Sequence, residues 1–245
     1  MEKIIYFGDS ERAPYGPRPA EEVRAFTKQI VNYLLQYDPK MIVIACNTAT
    51  ALALDDIRAM VNIPVIGVIS PGARAAIKMT RTGKVGVIGT EGTVRSGAYE
   101  RALTSISPQL DIYSRACPAF VPMVEKGCYD GPGAIDTVRA ELAPLLELSL
   151  DCLILGCTHY PFLTGLIADT MGEHVTLINS AEETAREIST VLYHKGLLER
   201  MVAYPVHQFL CSGDPAMFRQ IAQRWLDEEI RVNPVVWQVT RVGNG

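Results

Sequence analysis

Met41–Leu54 reads MIVIACNTATALAL. Met41 to Ala45 are apolar without interruption, the pattern of a strand covered on both faces. From Thr48 the sequence turns Ala- and Leu-rich and predicts a helix to Val61. Cys46 stands at the changeover. The stretch from Asp151, DCLILGCTHYPF, repeats the layout: a strand over 151–155, then Cys157 and Thr158, then helical sequence over 162–171. Nearly half of the 245-residue chain separates the two cysteines.

Outward from these turns the same alternation fills the chain. Strand-like runs fall at 4–7, 64–69, 84–89, 110–114 and 175–178, with later ones at 208–211 and 235–239. The run at 110–114 alternates polar and apolar residues, as at a sheet edge. Helical patterns fall at 21–37, 93–105, 134–148, 181–195 and 215–225, and another runs through 73–80, opened by a capping Ser70 and Pro71. Residues 118–124 read as irregular. Strand and helix alternating at this pitch predict an α/β fold with parallel-type sheets flanked by helices. The repeated cysteine turn favours two similar domains over one sheet or a closed barrel. Ligands in such folds sit beyond the carboxyl ends of the strands, which places the active site in an interdomain cleft.

Composition narrows the function. Lys plus Arg number 23 and Asp plus Glu 27, a net charge of −4, which argues against a broad nucleic-acid-binding surface. No apolar run reaches the ~18 residues of a membrane span, and the opening MEKIIYFGDS is too short for a secretion signal. Six cysteines without such a signal suit a reducing cytoplasm. Neither a phosphate-binding G-x-x-x-x-G-K-[ST] loop nor a G-x-G-x-x-G turn occurs, and Cys and His lack the paired spacing of a zinc site, so the expectation is no cofactor and no metal.

Cys46 and Cys157 each follow a strand and precede a helix, where free N–H groups and the helix dipole favour a thiolate. If two domains oppose each other, both thiols can face one small ligand. The bland alternative makes them small buried hydrophobes. A Cys–His hydrolase using His159 is a further alternative, although sequence neighbours rarely aim at each other and a second equivalent thiol would be redundant. His159 otherwise supports the adjacent thiol, steadies a ligand carboxylate, or bonds to backbone at a helix start. Asn47 and Thr48 add donors beside Cys46. Thr90 and Thr93 either hold a ligand or cap a helix. Glu125 needs a partner or solvent. The loop from Asp9 and Ser10 to Tyr15 and Gly16 either presents N–H groups to an anion or forms a plain turn. Cys117, Cys128, Cys152 and Cys211 lack the turn context.

The segments GDS-x-R-x-PYG (8–16), ACNTATALAL (45–54), PVIGVI-x-PGARAA (64–76), GT-x-GTVRSGAY (89–99), ACP-x-FVPMVE-x-G (116–127) and LGCTHYP (155–161) resemble glutamate racemases over nearly the whole chain. The resemblance implies a cofactor-free enzyme that interconverts L- and D-glutamate, the D-isomer feeding peptidoglycan synthesis. Cys46 and Cys157 match the two thiols that act on opposite faces of the α-carbon, and Glu125 and His159 match polar residues assisting Cys157. Asp9, Ser10, Tyr15, Gly16, Asn47, Thr48, Thr90, Thr93 and Thr158 correspond to substrate-binding positions. The implied domains are 1–70 with 180–245, and 71–179; relatives often form homodimers. Family members open with a strand and DSG-x-GG ahead of the segment matching Ile4–Phe7, and no counterpart is seen here. The expectation is therefore a first domain short of that unit, with a catalytically impaired glutamate-binding or regulatory homologue as the alternative.

Overall fold

The computed structural model describes residues 1–200, 204–223, 226 and 229–237. The chain opens with β1 (Ile5–Gly8), α1 (Ala20–Leu35), β2 (Ile42–Ile44), α2 (Asn47–Met60), β3 (Val65–Gly67) and α3 (Ile69–Met79). Next come β4 (Lys84–Gly89), α4 (Glu91–Arg95), α5 (Ala98–Ile106), β5 (Asp111–Ala116), α6 (Phe120–Glu125), α7 (Pro132–Leu146) and β6 (Cys152–Gly156). A 3₁₀ turn (Tyr160–Leu163) leads into α8 (Thr164–Met171), β7 (Thr176–Ile178) and α9 (Ala181–His194), and β8 (Gln208–Cys211), α10 (Pro215–Ala222) and β9 (Val232–Pro234) follow.

Contacts group these elements into two compact units. The smaller joins residues 1–14 to the described residues from 198 onward. Its parallel sheet runs in the order β1-β8-β9, with Ile5 opposite Gln208 and Phe209 opposite Val232. Cys211, Ile230 and Val232 form its core against Phe209 and Phe218.

The larger unit, residues 15–197, holds two further parallel sheets, β2-β3 and β5-β4-β6-β7. The four-stranded sheet explains the continuous apolar run of DCLIL. Leu153 and Leu155 face one side, in a core with Phe120, Val138, Leu142 and Ile167 from α6, α7 and α8. Cys152 and Ile154 face the other, among Ala73, Ala76, Tyr99 and Leu103 from α3 and α5. Alternate residues point to opposite faces, and here both faces are covered. Around β2-β3 the core comes from Val23 and Val31 of α1 with Ala49 and Ile57 of α2. The α/β class with parallel sheets and flanking helices is as expected, and β5 does lie at a sheet edge.

Several boundaries differ from the sequence reading, each for a local reason. The helix expected over 93–105 is two helices, broken where Gly97 adopts φ 63°, a left-handed conformation that glycine takes at little cost. Residues 118–124, read as irregular, fall largely in α6; Pro122 sits in its first turn, where no N–H is needed. Ser70 is not a cap, since α3 begins at Ile69 behind Val68. The helix after Cys157 starts earlier, as the 3₁₀ turn around Pro161. A strand lies at 232–234, ahead of the expected 235–239; residues 235–237 are not in a strand, and 238 and 239 lie outside the described residues.

Gly156, the last residue of β6, is set by packing. A Cβ there would stand 2.6 Å from the Ile88 carbonyl oxygen and 3.1 Å from Cε2 of Tyr99. The carbonyl belongs to the neighbouring strand and cannot turn away. Gly156→Ala is expected to cost about 2–3 kcal/mol by overpacking, a fall of roughly 5–10 °C in melting temperature. Thermal unfolding followed by circular dichroism measures it, with Gly133→Ala, which meets no atom within 4 Å, as the control.

Candidate active site

The turn after β2 carries Cys46, whose Sγ accepts from the Ala49 amide at 3.5 Å and so caps α2. Asn47, Thr48, Ala49 and Thr50 are all buried behind it. Thr50 Oγ1 donates to the Ile44 carbonyl at 2.8 Å, closing the end of the strand. Asn47 Oδ1 accepts from the Tyr99 hydroxyl at 2.7 Å. Thr48 Oγ1 lies 2.8 Å from Thr90 Oγ1 and 3.3 Å from Thr93 Oγ1, and Thr90 Oγ1 lies 3.1 Å from Thr93 Oγ1. The three hydroxyls form a triangle. Thr90 also caps α4, accepting from the Thr93 amide at 3.2 Å, as the capping reading of this residue expected.

Tyr15 and Gly16 meet the same corner. The Gly92 amide donates to the Gly16 carbonyl at 2.9 Å. A Cβ on Gly16 would sit 2.6 Å from Cβ of Thr90. Tyr15 is half-buried and packs against Phe26, ring centroids 6.0 Å apart.

The second turn follows β6. Since Gly89 of β4 pairs with Gly156 of β6, Thr90 and Cys157 leave the sheet from adjacent strand tips. Cys157 is 7% exposed and Thr158 is exposed. Cys157 Sγ lies 3.8 Å from His159 Nδ1, and His159 Nε2 lies 2.5 Å from Glu125 Oε1. The turn that the Tyr160 amide closes on the Cys157 carbonyl thus lets a residue two places along aim at the thiol, contrary to the expectation for sequence neighbours. A carboxylate only accepts, so the pair places the imidazole proton on Nε2 and turns the Nδ1 lone pair to the sulfur. Glu125 finds its partner in His159, whose hydrogen bond holds the carboxyl below the usual range.

The thiols differ from the expectation of favoured thiolates. Burial pushes the Cys157 thiol up to about 12 and outweighs the amides of His159 and Tyr160, which pull it down. Burial raises Cys46 as well, against hydrogen bonds from Ala49 and Thr48. Charge on Cys46 further disfavours charge on Cys157, so the two sulfurs sense each other. Asp9 and Ser10 belong to the smaller unit. There Asp9 accepts from Arg12 Nε at 2.7 Å, Ser212 Oγ at 2.7 Å and Trp237 Nε1 at 3.1 Å, and Ser10 Oγ lies 2.9 Å from Cys211 Sγ. No group of three or more His, Cys, Asp or Glu among the described residues is arranged to hold a metal ion.

Residues 2–188 match the model of the Asp/Glu/Hydantoin racemase family. The chain belongs to that family. The glutamate racemase of Bacillus cereus is 51% identical over 229 residues, covering 94% of this chain and 85% of the relative. The crystal structure of a glutamate racemase isoform from Bacillus anthracis superposes with a TM-score of 0.92 at 49% identity, covering 96% of this chain and 88% of that one. The glutamate racemase of Francisella tularensis, solved in complex with D-glutamate, gives 0.89 at 32% identity, covering 97% and 88%. Within this racemase scaffold the sequence reading missed Tyr99 and Gly92. The signal for Tyr99 was available, since a tyrosine on the inner face of a helix needs a partner for its hydroxyl.

The raised thiols fix a pH dependence. Cys117, Cys152 and Cys157 are each pushed up to about 12, chiefly by burial, from an ordinary 9.0. Below pH 9 they are protonated whether the chain is folded or not. Above it the unfolded chain loses these protons first, so stability falls as the pH rises toward 12. Melting temperatures between about pH 8 and pH 11 are expected to decline, and less steeply in Cys152→Ala. Iodoacetamide at about pH 8 is expected to label the exposed Cys128 before Cys157, as read by peptide mass spectrometry.

Proposed function

We propose that this chain interconverts L- and D-glutamate by proton transfer between two thiols on opposite faces of the α-carbon. The observation that carries the reading is the pair itself. Cys46 and Cys157 follow the tips of β2 and β6, Thr48 beside Cys46 bonds Thr90 at the tip of β4 next to β6, and charge on Cys46 disfavours charge on Cys157. Burial keeps both thiols protonated at rest, and once one ionises, its charge disfavours ionisation of the other. One thiolate and one thiol is the state that a two-base inversion requires. The thiolate takes the α-proton and the opposite thiol returns one from the far side; the roles exchange for the reverse reaction.

The acid to be deprotonated is weak, and a thiol raised by burial yields a stronger base once ionised. The substrate ammonium group supplies compensating positive charge. Asn47, Thr48, Thr90, Thr93 and Thr158 present the donors that hold the substrate carboxylates, and fixed donors stabilise the charge that grows on the α-carboxylate as the proton leaves. His159, oriented by Glu125, accepts and returns the proton of Cys157. Tyr15 and Gly16 wall the Thr90 corner. For Asp9 and Ser10 a substrate contact rests on the resemblance alone.

We further assign residues 1–70 with 180–245 and residues 71–179 as the two functional domains, with one thiol in each. The product D-glutamate suits peptidoglycan synthesis, and the six free cysteines suit a reducing cytoplasm. No helix among the described residues is long and apolar enough to cross a membrane. A homodimer is the expected assembly, which light scattering checks. No observation favours the impaired, glutamate-binding alternative.

Incubation with L-glutamate in D₂O is expected to give D-glutamate carrying deuterium at the α-carbon. Cys46→Ala and Cys157→Ala are each expected to lower racemisation about 10³-fold, the scale of a lost acid–base group. Activity that survives loss of Cys46 but not of Cys157, with an acyl adduct on Cys157, would point instead to a Cys–His–Glu hydrolase.

A further inference from the structure

Tyr99 closes the GTEGTVRSGAY stretch and touches the neighbours of both thiols. It is 1% exposed. Its hydroxyl donates to Asn47 Oδ1 at 2.7 Å, and Asn47 directly follows Cys46. Its ring edge abuts Gly156, which directly precedes Cys157: a Cβ on that glycine would stand 3.1 Å from Cε2. The hydroxyl also fills the space beside Gly72 in the first turn of α3. One rigid side chain on α5 therefore reaches the β2–α2 turn with its hydroxyl and the tip of β6 with its ring edge. Its placement depends on the left-handed Gly97, which ends the preceding turn and sets the direction in which α5 departs.

The hydrogen bond also orients Asn47. With the Tyr99 hydroxyl hydrogen donated to Oδ1, the amide oxygen faces the phenol and the amide nitrogen faces away from it. The amide nitrogen of Asn47 takes part in none of the hydrogen bonds among the described residues and stays available to a ligand. Without the Tyr99 hydroxyl, Oδ1 is left buried and unpaired, and the amide gains a reason to turn over.

We propose that Tyr99 is a positioning residue of the racemase reaction, holding the Asn47 amide toward the substrate and bracing the Cys46 turn against the tip of β6. The inference rests on the racemase reading above. Burial and the nearby Cys157 keep the phenol protonated well above its ordinary range, so it acts as a fixed donor and not as an acid or base.

Tyr99→Phe separates the two contributions, since it keeps the ring against Gly156 and removes only the hydroxyl. In the full chain it is expected to raise KM for glutamate about tenfold while changing kcat less than threefold, the pattern of a lost contact made equally in ground and transition states. Asn47→Ala is expected to raise KM at least as much. The double variant is expected to match Asn47→Ala within twofold, because Tyr99 acts through Asn47. Melting temperatures of all variants are recorded beside the kinetics. Multiplicative effects in the double variant, or a Tyr99→Phe protein with a lowered melting temperature and unchanged KM, would overturn the inference and leave Tyr99 as packing alone. A wild-type chain that exchanges no α-proton would overturn the racemase reading and this inference with it. An active wild type matched by Tyr99→Phe in KM would overturn the inference alone.

Discussion

The hydrogen bond between Thr48 and Thr90 is the tie on which the site depends. It joins the first turn of α2 to the cap of α4, and so links a two-stranded sheet to the tip of a four-stranded one. Strand pairing cannot do this, because β2 and β4 share no ladder. The third hydroxyl, from Thr93, closes a triangle in which each oxygen can both donate and accept. Glycines let the neighbouring backbone come close enough to seal it. Gly16 and Gly92 meet through an amide and a carbonyl at 2.9 Å, and side chains would force them apart.

From that tie the electrostatics follow. Burying two thiols raises the cost of ionising either, and placing them where they sense each other makes ionising both costlier still. The backbone amides at each turn work in the opposite direction but do not win. A general principle of helix N-termini, that they favour thiolates, is thus overridden here by desolvation. On the Cys157 side an imidazole and a carboxylate are added in line; on the Cys46 side the neighbours are an amide and hydroxyls. The two halves resemble each other in backbone and differ in chemistry.

Much of this was legible in the residues. Apolar runs such as MIVIA and DCLIL announced strands, and the cysteine after each marked the strand's carboxyl end. The partnering of Thr90 with Thr48 was not legible, because 42 residues separate them and a threonine at a helix start reads as a cap, which Thr90 also is. α6 was not legible because its six residues are too few to show a helical period. Support of Cys157 by His159 was among the readings of the residues, but the direct aim of the ring at the sulfur was not, because it depends on the turn that the Tyr160 amide closes on the Cys157 carbonyl, a geometry that periodicity does not report. For Tyr99 the need of a hydroxyl partner was legible, but Asn47 as that partner was not, because 52 residues separate them.

The ladder that pairs Ile5 with Gln208 bears on synthesis. A ribosome adding roughly 5–20 residues per second needs about 10–40 seconds to deliver the partner of the first strand. Residues 15–197 have all their own strand partners well before that. The order of emergence therefore favours a nascent chain whose middle is already folded while IYFG waits unpaired, and that waiting edge is where a chaperone would first find something to hold.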